Sequence, residues 1–395
     1  MYNNYQYKIS SIKLSVGTDI YDIEPNRFQS LVIDHQYMTF TVPYILLTMS
    51  LSFVIINKIF ANQNKVKIML DIMEIELDKD KQVISKTSFI KKSFEADLNR
   101  DKGTTLQDKH ASDKDKTTQR VDSESPAEFI LYTTSDINLF KIENDFILKN
   151  TNPGTALTKF LISRGITKGV IASTPKIKTV SDIVIPIGDL MSNISFLSHY
   201  YGLYGEMPLV YKDIENMYVI DSNDVPLSVG TNKGIVKFVP NTAGGIVDGA
   251  MDKNTDKSAY LVSWNTTSVI TPNVNMNHVR MAEGANVISV TPKGAVKKEN
   301  VFKDIAKTKV IRSYHALSAK SALNPSQLYV SYNVTVNDAP LSIFKPYMKY
   351  IFNQDKKIME CSVYSMQLSL RTSSTDTQGL AIKSMVEFSL QPIEK

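Results

Sequence analysis

At 395 residues the chain exceeds what one small core organises and points to two or three domains, and a 43% hydrophobic content is enough to bury them, which excludes a largely disordered polymer. A formal charge of +5, from 45 basic against 40 acidic residues, excludes the large single-sign field of a strong nucleic-acid binder. The one cysteine, Cys361, excludes an internal disulfide and sits in an alternating apolar stretch, where a free thiol behaves as a small buried hydrophobe.

The opening MYNNYQYKISS has no basic region followed by an apolar core, so no cleaved secretory signal is expected there. Tyr7 to Val16 reads as a strand with imperfect alternation of Tyr7, Ile9, Ile12 and Leu14, and Arg27 to His35 as a second one. Between them Gly17, Asp19, Asp22 and Pro25 mark a turn-prone segment. Met38 to Asn57 is uncharged, strongly apolar and long enough to span a bilayer. Its alternation of Met49, Leu51, Phe53 and Ile55 with Ser50, Ser52 and Val54, and the early Pro43, suit two buried strands better than a membrane helix. Val66 to Leu77 is another long strand, entered through Asn62, Gln63 and Asn64.

Glu95 to Ser125 contains no Phe, Tyr, Trp, Ile or Met and mixes Asp101, Lys102, Asp108, Lys109, Asp113 and Lys114, so a disordered or solvent-exposed insertion is expected, with no specific nucleic-acid role. Ala127 to Thr133 and Leu139 to Leu148 read as strands completing a first β domain. Thr155 is placed to cap a helix with Leu157, Phe160 and Leu161 inward and Gly165 at its stop. After the extended Lys176 to Ile187, the residues Leu190, Ile194, Leu197 and Tyr201 line one face of a helix, with Gly202 at its end. Pro208 to Tyr211 and Met217 to Ile220 then form a hairpin on which Ile194 is expected to pack.

Pro226 to Val239 suggests two strands and Pro240 to Lys257 a loop; Ala259 to Ser263, Val269 to Thr271 and Val287 to Val290 are short strands. A helix is expected from Val310 to Leu323, with Val310, Tyr314 and Leu317 on one face. Leu328 to Val336 alternates strictly. Lys349 to Phe352, Met359 to Leu370 and Ile382 to Leu390 follow as strands, and the inward phase of the middle one shifts near Val363, the mark of a β-bulge. The fold class is mainly β with α/β insertions, and the many antiparallel strands that must hide their edges point to barrels.

Motifs for chemistry are sparse. No nucleophile elbow, HExxH, Walker loop, dinucleotide fingerprint or Cys/His cluster occurs. His199 lies beside Tyr200 on the helix without a Ser, Cys or carboxylate at a defined spacing. Asp252, Asn254 and Asp256 begin like a calcium loop, but Lys257 stands where its turn needs Gly and Ser263 where it needs a bidentate Glu. Asp213 and Glu215 sit at a hairpin bend, where turn formation accounts for the Asp. Asn193, Asn265 and Asn333 begin glycosylation triplets that have no secretory context. No residue is therefore assigned a catalytic, cofactor-binding or metal-ligating role, and no enzymatic activity or cofactor is expected.

The helix ending in YGLYG, the hairpin with an Asp at its bend, the Tyr-hydrophobic-Ile-Asp exit at Tyr218 to Asp221, and the closing order of FKPYMKYIF (Phe344 to Phe352), Met359 to Leu370 and Ile382 to Leu390 together resemble the central baseplate hub of contractile-tailed bacteriophages. More distantly they resemble the N-terminal half of VgrG-type spike proteins. The resemblance runs nearly the full length as patterns in order, without an invariant motif. It departs from the family at Asn62-Gln63-Asn64, where an Asn-Gly-Asp-like turn is usual, and at the 95–125 insertion, which has no counterpart. It implies two tube-like antiparallel β-barrel domains interrupted by smaller α/β regions: 1–149 as the first barrel, 150–206 as an α/β insertion, 207–240 returning to a second barrel, 241–325 as a loop-rich α/β insertion and 326–395 as the remaining barrel. It further implies a homotrimer joining the sixfold tail tube to the threefold central spike. The partners would be a tail-tube or tube-initiator protein, the central spike protein and surrounding baseplate proteins, in a virion tail assembled in the host bacterial cytoplasm. Two other classes stay open on sequence alone, a membrane-associated protein anchored through 38–57 and a tail-associated cell-wall hydrolase.

Overall fold

The computed structural model describes residues 4–36, 42–78, 80–99, 124–139, 146–163, 170–172, 179–201, 208–214, 216–221, 234–240, 259–264, 270–274, 285–290, 296–300, 309–313, 330–354, 357–373 and 381–392. The chain opens with β1 (Asn4–Val16) and β2 (Asp19–Ile23), joined through Gly17, whose φ of 62° lies in the left-handed region that a two-residue hairpin turn demands. A Cβ there would meet Asn62 Oδ1 at 3.1 Å. The turn-prone segment is thus mostly strand, a correction explained by Ile23 pairing with Ile12 and burying its side chain. A register shift between Ile9 and Ser11 in β1 accounts for the imperfect alternation there.

Strands β3 (Phe28–Gln36) and β4 (Tyr44–Ser52) follow, and then the helix α1 (Phe53–Ala61). The expected second strand of the apolar run is therefore wrong. Ile55, Ile56, Ile59 and Phe60 recur with helical spacing; Ile56 and Ile59 are buried, with Ile55 and Phe60 packed against the same core. No described helix is long and apolar enough to cross a membrane. The strand β5 has the bounds read from its alternation (Val66–Leu77), and it pairs with β1 along its whole length.

A strand absent from the sequence reading, β6 (Val83–Leu98), lies on its other side. The insertion consequently starts later than expected, because Glu95 to Leu98 ladder with β7 (Glu124–Tyr132) despite their polar composition. The rest of that insertion, 100–123, lies outside the described residues.

Past β7 comes helix α2 (Thr134–Leu139); of the strand expected at Leu139 to Leu148, Leu139 ends that helix, 140–145 lie outside the described residues, and Phe146 to Leu148 are strand, the start of β8 (Phe146–Thr151). Strand β8 pairs with the later strand Val180–Ile185 and not with the strands described so far. Helix α3 (Pro153–Ser163) is capped by Asn152, whose Oδ1 accepts from Thr155 N at 2.7 Å, so Thr155 is inside the helix and not its cap. After β9 (Val170–Ala172) and β10 (Val180–Ile185) comes α4 (Leu190–Tyr200), capped by Asp189 through a 2.7 Å bond from Ser192 N. Its face of Leu190, Ile194, Leu197 and Tyr201 is buried as read. Strands β11 (Pro208–Lys212) and β12 (Met217–Asp221) form the expected hairpin, with β9 added in parallel to β12.

The C-terminal half supplies β13 (Ile235–Pro240), β14 (Ala259–Trp264), β15 (Ile270–Val274), β16 (Ala285–Val290), β17 (Val296–Asn300) and β18 (Lys309–Ser313). Two expectations change here. The first four residues of the helix expected at 310–323 are strand, paired in parallel with β16, and 314–323 are outside the described residues; of the two strands expected in 226–239 only β13 is described. Then come β19 (Val330–Asn337), β20 (Lys349–Gln354), β21 (Lys357–Ser373) and β22 (Ala381–Pro392). The bulge expected near Val363 is a register shift between Val363 and Ser365.

Fourteen strands share one sheet in the order β14-β13-β20-β21-β3-β4-β7-β6-β5-β1-β2, with β22, β19 and β15 branching from β21. The fold is mainly β. The large sheet is antiparallel except where β13 runs parallel to β14 and β20, and among the described residues no barrel closes. Strand β21 reaches across the chain to pair with β3, so the N- and C-terminal strand blocks are one ladder. Two hydrophobic cores result. The larger lies under this sheet, and the smaller gathers α3, α4, β10 and part of β12.

Candidate functional site

The two cores meet at the β11–β12 hairpin. Because side chains alternate along a strand, Met217 and Val219 enter the small helical core while Tyr218 and Ile220 enter the sheet core, joined there by Tyr211. At the bend, Asp213 N donates to Asn216 O at 2.9 Å and Asn216 N donates back to Asp213 Oδ1 at 2.6 Å. That is the turn-forming role read for Asp213; Glu215 lies outside the described residues.

The remaining polar groups of this bend are held by ion pairs and hydrogen bonds. Lys212 Nζ lies 2.7 Å from Asp136 Oδ1, with both side chains 3% exposed; the approach is a charge contact rather than an aligned hydrogen bond. Nζ also donates to Thr133 Oγ1 at 3.2 Å and to Asp213 O at 3.0 Å. Asp136 is presented by a capping box: Thr133 N donates to Asp136 Oδ2 at 2.6 Å and Asp136 N to Thr133 Oγ1 at 3.2 Å, which fixes the start of α2. Asp213 Oδ2 accepts from Tyr218 OH at 2.9 Å and stands 3.7 Å from Lys345 Nζ. Lys92 Nζ, from β6, donates to Ile214 O at 2.6 Å. Three tyrosines pack beside the charges, Tyr211 on Tyr218 at 4.9 Å and Tyr218 on Tyr347 at 5.1 Å between ring centroids.

His35 on β3 is also buried. Burial is the main cause that lowers its pKa to about 4; Asp213 opposes the shift, and Lys345 and Lys212 reinforce it. Burial, followed by the Asp213 charge, likewise pushes Tyr347 up to about 12 and raises Tyr218 further. At neutral pH the His35 imidazole and the Tyr218 and Tyr347 phenols are therefore neutral.

A second buried polar knot ties β1 to the segment before β20. Tyr7 OH donates to Glu74 Oε2 at 2.5 Å and accepts from Leu341 N at 2.7 Å, while Ser342 donates to Glu74 through N at 3.0 Å and Oγ at 2.6 Å. Ala339 O lies 2.9 Å from both Tyr7 OH and Ser384 Oγ. Both knots join elements distant in sequence, and what their geometry does is hold segments together.

An open cleft of about 440 Å³ borders the junction, with Glu95, Asp97, Tyr132 and Asp136 on its walls. Glu95 is paired with Lys67 at 2.7 Å, and the described residues contain no group of three or more His, Cys, Asp and Glu placed to hold a metal. The calcium-like Asp252, Asn254 and Asp256 fall outside the described residues, as does the His199 side chain. Asn193, the first residue of a glycosylation triplet, is buried on α4, its Nδ2 donating to Gly188 O at 3.3 Å. Cys361 is fully buried, and burial pushes its thiol up to about 12, as suits a packed hydrophobe. Sequence reading missed Lys212, Asp136, His35, Tyr218 and Lys345. Only Thr133-Thr134-Ser135-Asp136 carried a local signal, the capping box.

No family model matches the chain, and no curated protein matches it either. Among solved structures it is similar to a tail protein from Neisseria meningitidis MC58, at 10% identity and a TM-score of 0.48, covering 98% of this chain and 96% of that one. It is similar to a 43 kDa tail protein of prophage MuSo2 from Shewanella oneidensis, at 12% identity and a TM-score of 0.47, covering 96% and 97%. A component of the type VI secretion system of E. coli matches at 9% identity and a TM-score of 0.44, covering 99% of this chain and 77% of that one. Matches this distant assign neither a family nor an activity.

Proposed function

We propose that the chain is a structural protein of a contractile phage tail, the central baseplate hub, acting as a homotrimer that joins the sixfold tail tube to the threefold spike. The observation that carries the reading is the order of parts: two blocks of long strands, laddered to each other through β21 and β3, with a helix–hairpin unit inserted between them and docked by buried polar groups. On this reading the two strand blocks belong to two tube-like barrels of similar fold. Three copies then present six equivalent faces to the tube and one threefold axis to the spike, which resolves the symmetry mismatch. The buried polar groups serve as ties between segments, so no catalytic role is proposed for them. Tail-tube protein, central spike and neighbouring baseplate proteins are the proposed partners, and the virion tail is the proposed location. Light scattering tests the assembly: the expected mass is three times the 44.3 kDa of one chain. A monomer at micromolar concentration, unchanged by added tail-tube protein, overturns it.

A further inference from the structure

Strands β11 and β12 ladder with each other and with β9 but not with the large sheet, so side chains tie the hairpin to its surroundings. The most buried of the ion pairs among them is Lys212 against Asp136 of α2, Nζ to Oδ1 at 2.7 Å, with both side chains 3% exposed. Neither group is free to turn away. Asp136 Oδ2 accepts from Thr133 N at 2.6 Å, and Lys212 Nζ donates to Thr133 Oγ1 at 3.2 Å and to Asp213 O at 3.0 Å. An ammonium group has three N–H bonds, and two of them are taken by these oxygens. The third position on the tetrahedral nitrogen is left for Asp136, whose Oδ1 makes no aligned hydrogen bond. Because the C–O bond is about 1.2 Å long, Nζ stands within about 4 Å of Asp136 Cγ, against about 3 to 3.5 Å for reacting atoms in a near-attack arrangement. Two charges taken out of water forfeit their hydration, which brings the ion pair closer in energy to the amine and carboxylic acid that one proton transfer makes of it. That transfer also leaves the nitrogen lone pair facing the carboxyl group.

We propose that Lys212 and Asp136 condense into an intramolecular isopeptide bond. Nζ bonds to Cγ and the bond from Cγ to Oδ1 breaks. Oδ1 leaves as water, carrying the proton first transferred and a second one from the nitrogen, and the amide keeps the last N–H. No oxidant, metal or second molecule takes part. Asp136 lines the open cleft of about 440 Å³, which gives the released water a way out. The product replaces two buried charges with a neutral amide and closes a covalent loop from α2 to β11, as a disulfide would. The bond is independent of the hub reading, since it needs only the folded chain.

Mass spectrometry of the intact, purified chain tests this without any substitution. The expected mass is one water short of the 44.3 kDa chain. Tryptic digestion should yield a branched peptide that joins 121–141 to 179–233 and is uncleaved after Lys212. In Asp136→Asn the same bond forms with ammonia as the leaving group, so the deficit becomes one ammonia, and in Lys212→Arg it vanishes. A full mass in both fresh and long-incubated protein, wholly linear peptides ending at Lys212, or a water deficit that persists in Lys212→Arg overturns the proposal.

Discussion

The large sheet and the helix–hairpin unit beside it are stabilised in different currencies of interaction. Strand β5 is paired with β1 along its twelve residues and with β6 from Lys67 to Leu77, and β21 runs for seventeen residues with partners on either side, so each strand is tied by backbone bonds that no side-chain change removes. The unit formed by α3, α4 and β8 to β12 has strands of three to six residues that ladder only among themselves. Its attachment depends on what Lys212, Asp213 and Tyr218 reach across the seam. A backbone-held region is indifferent to most single substitutions, whereas a side-chain-held seam concentrates its stability in a few replaceable groups.

Three substitutions sharpen or break that contrast. The largest effect is expected from Lys212→Met, which keeps the aliphatic length but leaves Asp136 a buried charge without its cation; the loss should be about 3 to 5 kcal/mol in chemical denaturation. A loss under about 1 kcal/mol would mean that the ion pair contributes little to the seam. Next comes Ile194→Ala on α4. Ile194 is fully buried in the small core with Met217 and Val219, so removing its methylenes and leaving a cavity should cost about 2 to 5 kcal/mol, read as a lowered thermal midpoint. An unchanged midpoint would show that α4 is not packed on β12. The smallest is Tyr7→Phe, which takes from Glu74 a donor and from Leu341 N an acceptor while leaving the ring; about 1 to 3 kcal/mol should be lost on denaturation. Because Tyr7 lies on a strand paired with β5, hydrogen exchange across β1 should remain slow even so, and fast exchange there would show that side chains hold the sheet as well.

Where a strand is paired on one polar and one apolar face, its own residues announce it. Val66–Leu77 was legible to the residue, the phase change at Val363 marked the bulge, and the face of Leu190, Ile194, Leu197 and Tyr201 marked α4, because burial of one face imposes a period on the chain. Strands whose reason lies in a neighbour were not legible. Glu95 to Leu98 is polar enough to read as solvent loop, yet β7 offers it backbone partners throughout and β5 one more at Glu95, and a ladder accepts any side chain that points outward. Phe53 to Ala61 is apolar and β-branched, which reads as strand, but the space beneath it accepts Ile56 and Ile59 one helical turn apart.

The junction is the extreme case. His35, Lys212 and Lys345 each look like an ordinary surface charge in the sequence, separated by long stretches of chain, and only the turn-forming Asp213 and the helix-capping Asp136 had a local reason to be there. Local periodicity thus determined segments such as Val66–Leu77 and α4, whose buried face imposes its period on the chain. The tertiary structure alone decided which charges become buried partners, since an ion pair depends on distance in space, which no spacing along the chain encodes.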